Sequence, residues 1–518
     1  MREILLNGEN LDISTVVQVA DAGQRTGPFR VSIAPDAISR IVASRQSVER
    51  MVSAGRTVYG ITTGFGAFKS KLIASSETAE LQRNLLMSHA VGVGPLLPEP
   101  TVRAMMLVRA NALAKGYSGI RPETLQALLE LLNRGIHPVV PSQGSVGASG
   151  DLAPLAHMAL VLIGLGEAIV DGQRMSGVQA LHEVGMQPVS LQAKEGLALL
   201  NGTSLMTAIS CLALDRARRL LRSADIAAAM SLEALHGTIL AFDARLHAAR
   251  PHHGQVSCAE HLSSLLEGSQ FLREATSTDV QDAYTLRCAP QVHGAISDAL
   301  DHVERVLQVE LNSATDNPLI FQDGEVDLAL SGGNFHGEPV ALAADLMALA
   351  LTDLGNISER RIARLLDSSS NGGVLPMFLA RHSGLHSGLM MLQYTAAALA
   401  SENKVLAHPA SADSIPTSAN TEDHVSMGTI AARKALLVVE HVETIVAIEL
   451  LCAAQGIDFR RQESTGLQMG KGTRPAFDAI RARVPFLEHD TVMFPHIQAM
   501  LSLLREGLPA GDGPTAAH

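Results

Sequence analysis

The sequence predicts a mainly α-helical fold: an N-terminal domain carrying a loop of small residues, followed by a long central helical bundle. Three observations carry this. Of 518 residues, 47 % are hydrophobic and only 3 % aromatic, with no Trp and four Tyr, so the core must be Leu, Ala, Val, Ile and Met. That composition suits packed helices better than a β-sandwich, which draws on aromatic and β-branched side chains. Long apolar segments fill the chain after residue 200, several exceeding the mean globular helix of about 11–12 residues. Gly-rich punctuation separates the segments, with no repeat at periods of roughly 20–50 residues. The boundaries expected are 1–200 for the N-terminal domain, 201–507 for the bundle and 508–518 for a frayed tail.

Along the chain, 29–34 (FRVSIA) reads as a short strand. A helix follows over 35–55, with Pro35 and Asp36 at its start and Gly55 at its end. Residues 59–75 are Gly/Thr-rich without a sustained period and read as a loop. Helices are expected over 76–94, 99–116 and 121–135, the last two with capping chemistry in front and Gly behind. Segment 152–168 (LAPLAHMALVLIGLGEA) is apolar nearly all round, as a helix buried on every side should be. The bundle is expected from 202–235, 293–311, 338–367, 387–407 and 427–454. Helices so long and apolar call for cover from other subunits.

Composition narrows the function classes. A net charge of −12 argues against a general nucleic-acid surface, which needs a basic face. Cys211, Cys258, Cys288 and Cys452 are widely separated and form no CxxC pair, so neither a disulfide framework nor a zinc ribbon is expected, and a reducing cytoplasm fits. The start, MREILLNGENLD, does not read as a signal peptide, and no membrane span is expected. His382 and His386 share i,i+4 spacing without a third ligand, and His252-His253 reads as a surface loop, so no metal site is expected.

The stretch 142–151, SQGSVGASGD, raises the functional question. It lacks the Lys of a phosphate-binding loop and the GxSxG of a hydrolase elbow. Two readings remain: a turn, or a place where the backbone itself reacts. Gly150 has no Cβ, so its nitrogen can approach the Ala148 carbonyl carbon. Attack there with loss of water closes a five-membered ring, and loss of a second water from Ser149 leaves a 4-methylidene-imidazol-5-one (MIO), a strong electrophile. Spacing alone does not show that this reaction occurs.

GSVGASGDLAPLAH resembles the signature of the aromatic amino acid ammonia-lyases, a family that includes histidine, phenylalanine and tyrosine lyases and related aminomutases. The resemblance extends through YGITTGFG, LQRNLLMSHAVGVG, LLNGT, VQDAYTLRCAPQVHGA, SATDNPLIF, SGGNFHGEP and IPTSANTEDHVSMG, from about residue 59 to 428. It implies a MIO made from Ala148-Ser149-Gly150 with no external cofactor, and a homotetramer whose sites combine residues from three subunits. It implies elimination of ammonia and a β-proton from a small α-amino acid. Tyr59 matches the catalytic base, which needs a depressed pKa to act as phenolate. Arg287 resembles the clamp for the substrate carboxylate, which a planar guanidinium suits bidentately. Asn201 falls near the MIO and also sits where it could cap the following helix. Gln281 and Tyr284 match pocket residues, and Phe335 an aromatic beside the ring.

The pair Ser88-His89 falls where the family sorts substrates and resembles the histidine-specific members. Glu422 falls where those members carry an acid and the phenylalanine and tyrosine enzymes carry Gln; Met390 also agrees. His89 can hydrogen-bond an imidazole, and a carboxylate can accept from its N–H. Thr62, Ala283, Thr285 and Thr421 depart from the histidine-specific pattern. The expectation is elimination of ammonia from L-histidine to give trans-urocanate. Another aromatic or modified amino acid, an aminomutase outcome and a non-catalytic helical scaffold are the alternatives.

Overall fold

The computed structural model describes residues 2–22, 29–274 and 280–509. Helices dominate, and the described strands form four small sheets. The strand Phe29–Ile33 lies where the pattern places it and pairs in parallel with Arg2–Leu6. The helix Pro35–Ser53 begins with its proline in the first turn, where the missing N–H costs nothing.

Two expected helices end early, each for a backbone reason. The one expected over 76–94 is Thr78–His89, and Val93–Leu96 becomes a strand antiparallel to Pro141–Gln143. Ala90, at φ −79° and ψ 68°, leaves the helical range directly after His89. His89 thereby stands at a helix end, a few residues from the chain entering the small-residue loop. The apolar helix is Leu152–Leu162, with nine of its eleven residues buried. Gly164 and Gly166, at φ +76° and +64°, turn the chain into the strand Glu167–Val170.

The long helices are Ser204–Ala234, Ala289–Leu311, Glu338–Leu366, Met390–Leu406 and Gly428–Glu463. The last runs past its expected end at 454, through Gly456. A Cβ there would come within 3.1 Å of both Ala234 Cβ and Leu375 Cδ1, so this glycine serves close packing. Three shorter helices, His253–Leu265, Thr473–Arg483 and Phe494–Glu506, escaped the sequence pattern. His253 is exposed as expected but opens a helix instead of lying in a loop. Glu338–Leu366 is long and apolar enough to cross a membrane by length and composition, and 67 % of its most apolar window is buried within the protein. Of the expected tail, residues 510–518 lie outside the described residues.

The chain forms two compact units: residues 1–215, 303–345 and 409–436 in the first, and 216–302, 346–408 and 437–518 in the second. Each unit buries charge. In the first, Lys194 Nζ lies 2.6 Å from Asp316 Oδ2 with neither side chain exposed beyond 1 %. In the second, Arg361 Nε lies 2.5 Å from Glu449 Oε1, both fully buried, and Ser231 and Ser358 donate to the same carboxylate. Breaking one partner of such a pair strands the other without solvent, at about 3–5 kcal/mol.

Candidate active site

The first unit contains the small-residue loop, and the loop is pinned on every side. Gly147 (φ +78°) and Gly150 (φ +70°) sit in backbone regions closed to most residues. Short bridges join Gly147 and Ala148 to Gly150, folding the triplet back on itself. Gly202 N donates to Ser149 O at 3.1 Å, and Asp151 N donates to Gly202 O at 2.7 Å, clamping Gly150 between. A Cβ on Gly150 would lie 2.1 Å from Gly202 O, and one on Gly147 2.3 Å from Ser426 Oγ. Ser145 Oγ donates to Gly150 O at 3.1 Å.

Asp151 is the residue that the sequence reading missed. It directly precedes the helix Leu152–Leu162 but does not cap it. Its Oδ2 accepts from Leu205 N (2.7 Å) and Met206 N (3.0 Å), capping Ser204–Ala234 across the loop, while Thr429 Oγ1 donates to Oδ1 at 2.6 Å. Full burial raises this carboxyl to about 6. A lone Asp after a Gly-rich run was the available signal; its target helix was not legible. Asn201, by contrast, caps no following helix. It ends Glu195–Leu200, its Nδ2 donates to Asn317 O at 3.3 Å, and its buried Oδ1 has no partner.

Tyr59 is half-buried, and its hydroxyl accepts from Gly66 N at 3.4 Å. Burial raises its pKa and the Glu422 carboxylate raises it further, opposed by the Gly66 contact. Among the described residues, then, the surroundings of Tyr59 raise its pKa, and the depressed value expected of a phenolate base is not found there. Glu422 is half-buried, with Oε2 unpartnered among the described residues and Oε1 3.6 Å from where a Gly66 Cβ would stand. His89 is half-buried; its Nδ1 pairs with Leu85 O at 2.8 Å, so Nδ1 carries the proton and Nε2 is left as an acceptor. Burial lowers its pKa, holding the ring neutral. Phe335 is half-buried beside Gly337, whose Cβ would lie 3.1 Å from Ser426 Oγ, the atom that also crowds Gly147.

The remaining expected residues belong to the second unit. Gln281 and Tyr284 are exposed, and Arg287 places its guanidinium 4.5 Å over the Tyr284 ring. Arg287 Nε is buried without a partner, and Arg287 lines a cleft with Thr238, Gln281, Cys288 and Gln291. Met390 is half-buried at the first position of Met390–Leu406.

The profile of the aromatic amino acid lyase family matches residues 11–482. The chain belongs to the aromatic amino acid lyase family. It is 55 % identical over 510 residues to a histidine ammonia-lyase of Chloroflexus aurantiacus, covering 98 % of this chain and 97 % of that protein. Among solved structures, the histidine ammonia-lyase of Trypanosoma cruzi is 44 % identical with TM-score 0.89, covering 98 % of this chain and 94 % of the other. The tyrosine aminomutase of Streptomyces globisporus is 38 % identical with TM-score 0.91, covering 98 % and 97 %.

Family membership together with 55 % identity to a histidine ammonia-lyase makes the chain an ammonia-lyase of a MIO-dependent family. The loop geometry fits that group: positive φ and missing Cβ atoms leave the triplet tightly folded where a side chain at 150 could not stand.

Three side-chain groups could hold a metal by distance: Asp225–Cys258–His293, His336–Glu338–His424 and His253–Asp298–Asp301. In the first, protons already fill the site. His293 and His261 approach Asp225 through Nδ1 at 2.6 and 2.8 Å, and Arg361 Nη1 donates to His293 Nε2 at 3.4 Å. A metal on His293 Nδ1 would turn Nε2 into a donor facing a guanidinium. In the second, both His336 ring nitrogens are engaged, with Glu338 N at 3.4 Å and His424 O at 3.3 Å. In the third, Gly254 N donates to Asp298, and Arg218 pairs with Asp301. His386 is part-buried, with Nε2 3.3 Å from His489 Nδ1.

Proposed function

We propose that the chain is a histidine ammonia-lyase that converts L-histidine to trans-urocanate and ammonia, using a MIO formed from Ala148, Ser149 and Gly150. The observation that carries the substrate choice is His89. With its Nδ1–H held by Leu85 O, its Nε2 can only accept, which suits an imidazole N–H. The unpartnered Glu422 Oε2 offers a second acceptor. A phenyl ring would leave both unsatisfied, and buried groups left unpaired cost about 1–3 kcal/mol each. The high identity to the Chloroflexus histidine ammonia-lyase supports the same reading.

Ring closure forms a bond from Gly150 N to the Ala148 carbonyl carbon and releases that oxygen as water. The Ser149 Oγ then leaves with the Ser149 α-hydrogen as a second water. The completed group supplies the electrophile that turns the substrate's amino group into a leaving group. Arg287 clamps the carboxylate, Asn201 and Phe335 line the site, and Gln281, Tyr284 and Met390 shape the pocket. Tyr59 takes the β-proton. Because the described residues set only the Glu422 carboxylate against Tyr59, we place the cation it needs in assembly: a homotetramer with each site drawing on three subunits, working in the cytoplasm.

The test is to offer the purified protein L-histidine, tyrosine, phenylalanine and ergothioneine separately, following product absorbance and ammonia. Histidine should be turned over with urocanate formed. A different preferred substrate would reject the His89 assignment. A β-amino acid formed without ammonia would favour an aminomutase, the second reading that the tyrosine aminomutase likeness supports.

A further inference from the structure

We infer that Arg109 is a positioning residue for ring closure at Ala148-Ser149-Gly150; the inference rests on the MIO reading above. Arg109 lies inside the helix Glu99–Ala114 with no solvent exposure. Burying a guanidinium is costly and calls for partners. Its Nε donates to Ala198 O at 3.0 Å and its Nη2 donates to the same oxygen. Its Nη1 has no hydrogen-bond partner among the described residues. The buried carboxylates of Asp316 and Asp151 provide its counter-charge.

These contacts converge on one backbone segment. Ala198 belongs to the six-residue helix Glu195–Leu200, whose last carbonyls need donors from outside. Arg109 supplies one. The helix leads directly into Asn201-Gly202, and Gly202 is the strut that binds Ser149 O and Asp151 N on either side of Gly150. A Cβ at 202 would lie 2.3 Å from Arg109 Nη1 and 2.7 Å from Thr315 Oγ1. The guanidinium therefore packs flush against one face of Gly202, while Gly202 O stands 2.1 Å from where a Gly150 Cβ would be. Arg109 is a buried backstop. It holds the wall against which the triplet is bent, and bending is what brings Gly150 N to the Ala148 carbonyl.

A lysine at 109 keeps the charge but not the fork that grips Ala198 O twice. The experiment expresses the full chain as wild type, Arg109→Lys, Arg109→Gln and Arg103→Gln. Arg103 is the control: it lies in the same helix, is also buried, and donates to Val19 O (2.9 Å) and Leu132 O (3.5 Å), away from the loop. Maturation is read by intact mass as loss of two waters, in the fraction with native size and far-UV circular dichroism. Wild type and Arg103→Gln should be fully dehydrated. Arg109→Lys should be folded with less than half of its chains dehydrated, and Arg109→Gln with fewer still. Full dehydration of both Arg109 variants would overturn the inference. So would failure of Arg109→Lys to reach native size, because Arg109 would then serve general stability. Wild-type chains that keep both waters would instead sink the MIO reading.

Discussion

Asp151 ties the loop to two helix starts through one carboxyl, and that carboxyl is raised from 3.8 to about 6, chiefly by burial. The folded chain holds this proton more tightly than the unfolded chain does. The resulting stability is complete below about pH 3.8 and is lost as pH rises through about 6. At about 1.4 kcal/mol per pKa unit, the shift corresponds to about 3 kcal/mol. Melting temperatures of wild type and Asp151→Asn should diverge with pH: wild type loses ground to the variant between about pH 4 and 6, and a constant gap refutes the shift. At His89 the expectation is kinetic. His89→Leu should raise KM for histidine about tenfold, the worth of one hydrogen bond of about 1.4 kcal/mol, with the fold intact by circular dichroism. Glu422→Gln should lower the pH at which Tyr59 ionises, since the carboxylate is one of the two influences raising it. Phenolate absorbance, read against a Tyr59→Phe background, measures this.

At the scale of elements, glycines decide where helices stop and where they pass. Gly456 sits inside Gly428–Glu463, where alanine would gain helix propensity of up to about 1 kcal/mol. The new Cβ would press at 3.1 Å on the Cβ of Ala234, which is fixed to a helix backbone and cannot rotate away. Overpacking of this kind costs about 1–3 kcal/mol, so Gly456→Ala should lower the urea midpoint. Gly164 looks alike in sequence yet follows a helix end, because its backbone takes positive φ. Composition and periodicity located the long helices within about four residues at every end but one, Gly428–Glu463 running nine residues past its expected end at 454. They missed His253–Leu265 and most of the short strands, among them Arg2–Leu6, which pairs with Phe29–Ile33.

At the scale of the whole molecule, the helix Met390–Leu406 exposes Met391 (58 %), Tyr394 (62 %) and Val405 (70 %). Apolar side chains at that exposure are where the proposed tetramer would have a face to cover. If it does, Tyr394→Glu should shift the mass measured by light scattering towards smaller species, with loss of activity if sites are shared between subunits. An unchanged mass together with unchanged activity would argue that this face is free.

By itself the sequence determined the helical class and the family, and it supplied the triplet and the Ser88-His89 pair on which the proposed chemistry rests, because these depend on local composition or on side chains written into contiguous motifs. Only the tertiary structure decided what holds the triplet: Gly202 against Gly150, Asp151 capping a helix that begins beyond it, and Arg109 behind them from a helix some 40 residues upstream. It also set the Glu422 carboxylate against Tyr59, where it works with burial to raise the phenol's pKa. Hydrogen bonds and desolvation act through space, and no spacing along a chain records which buried groups face one another.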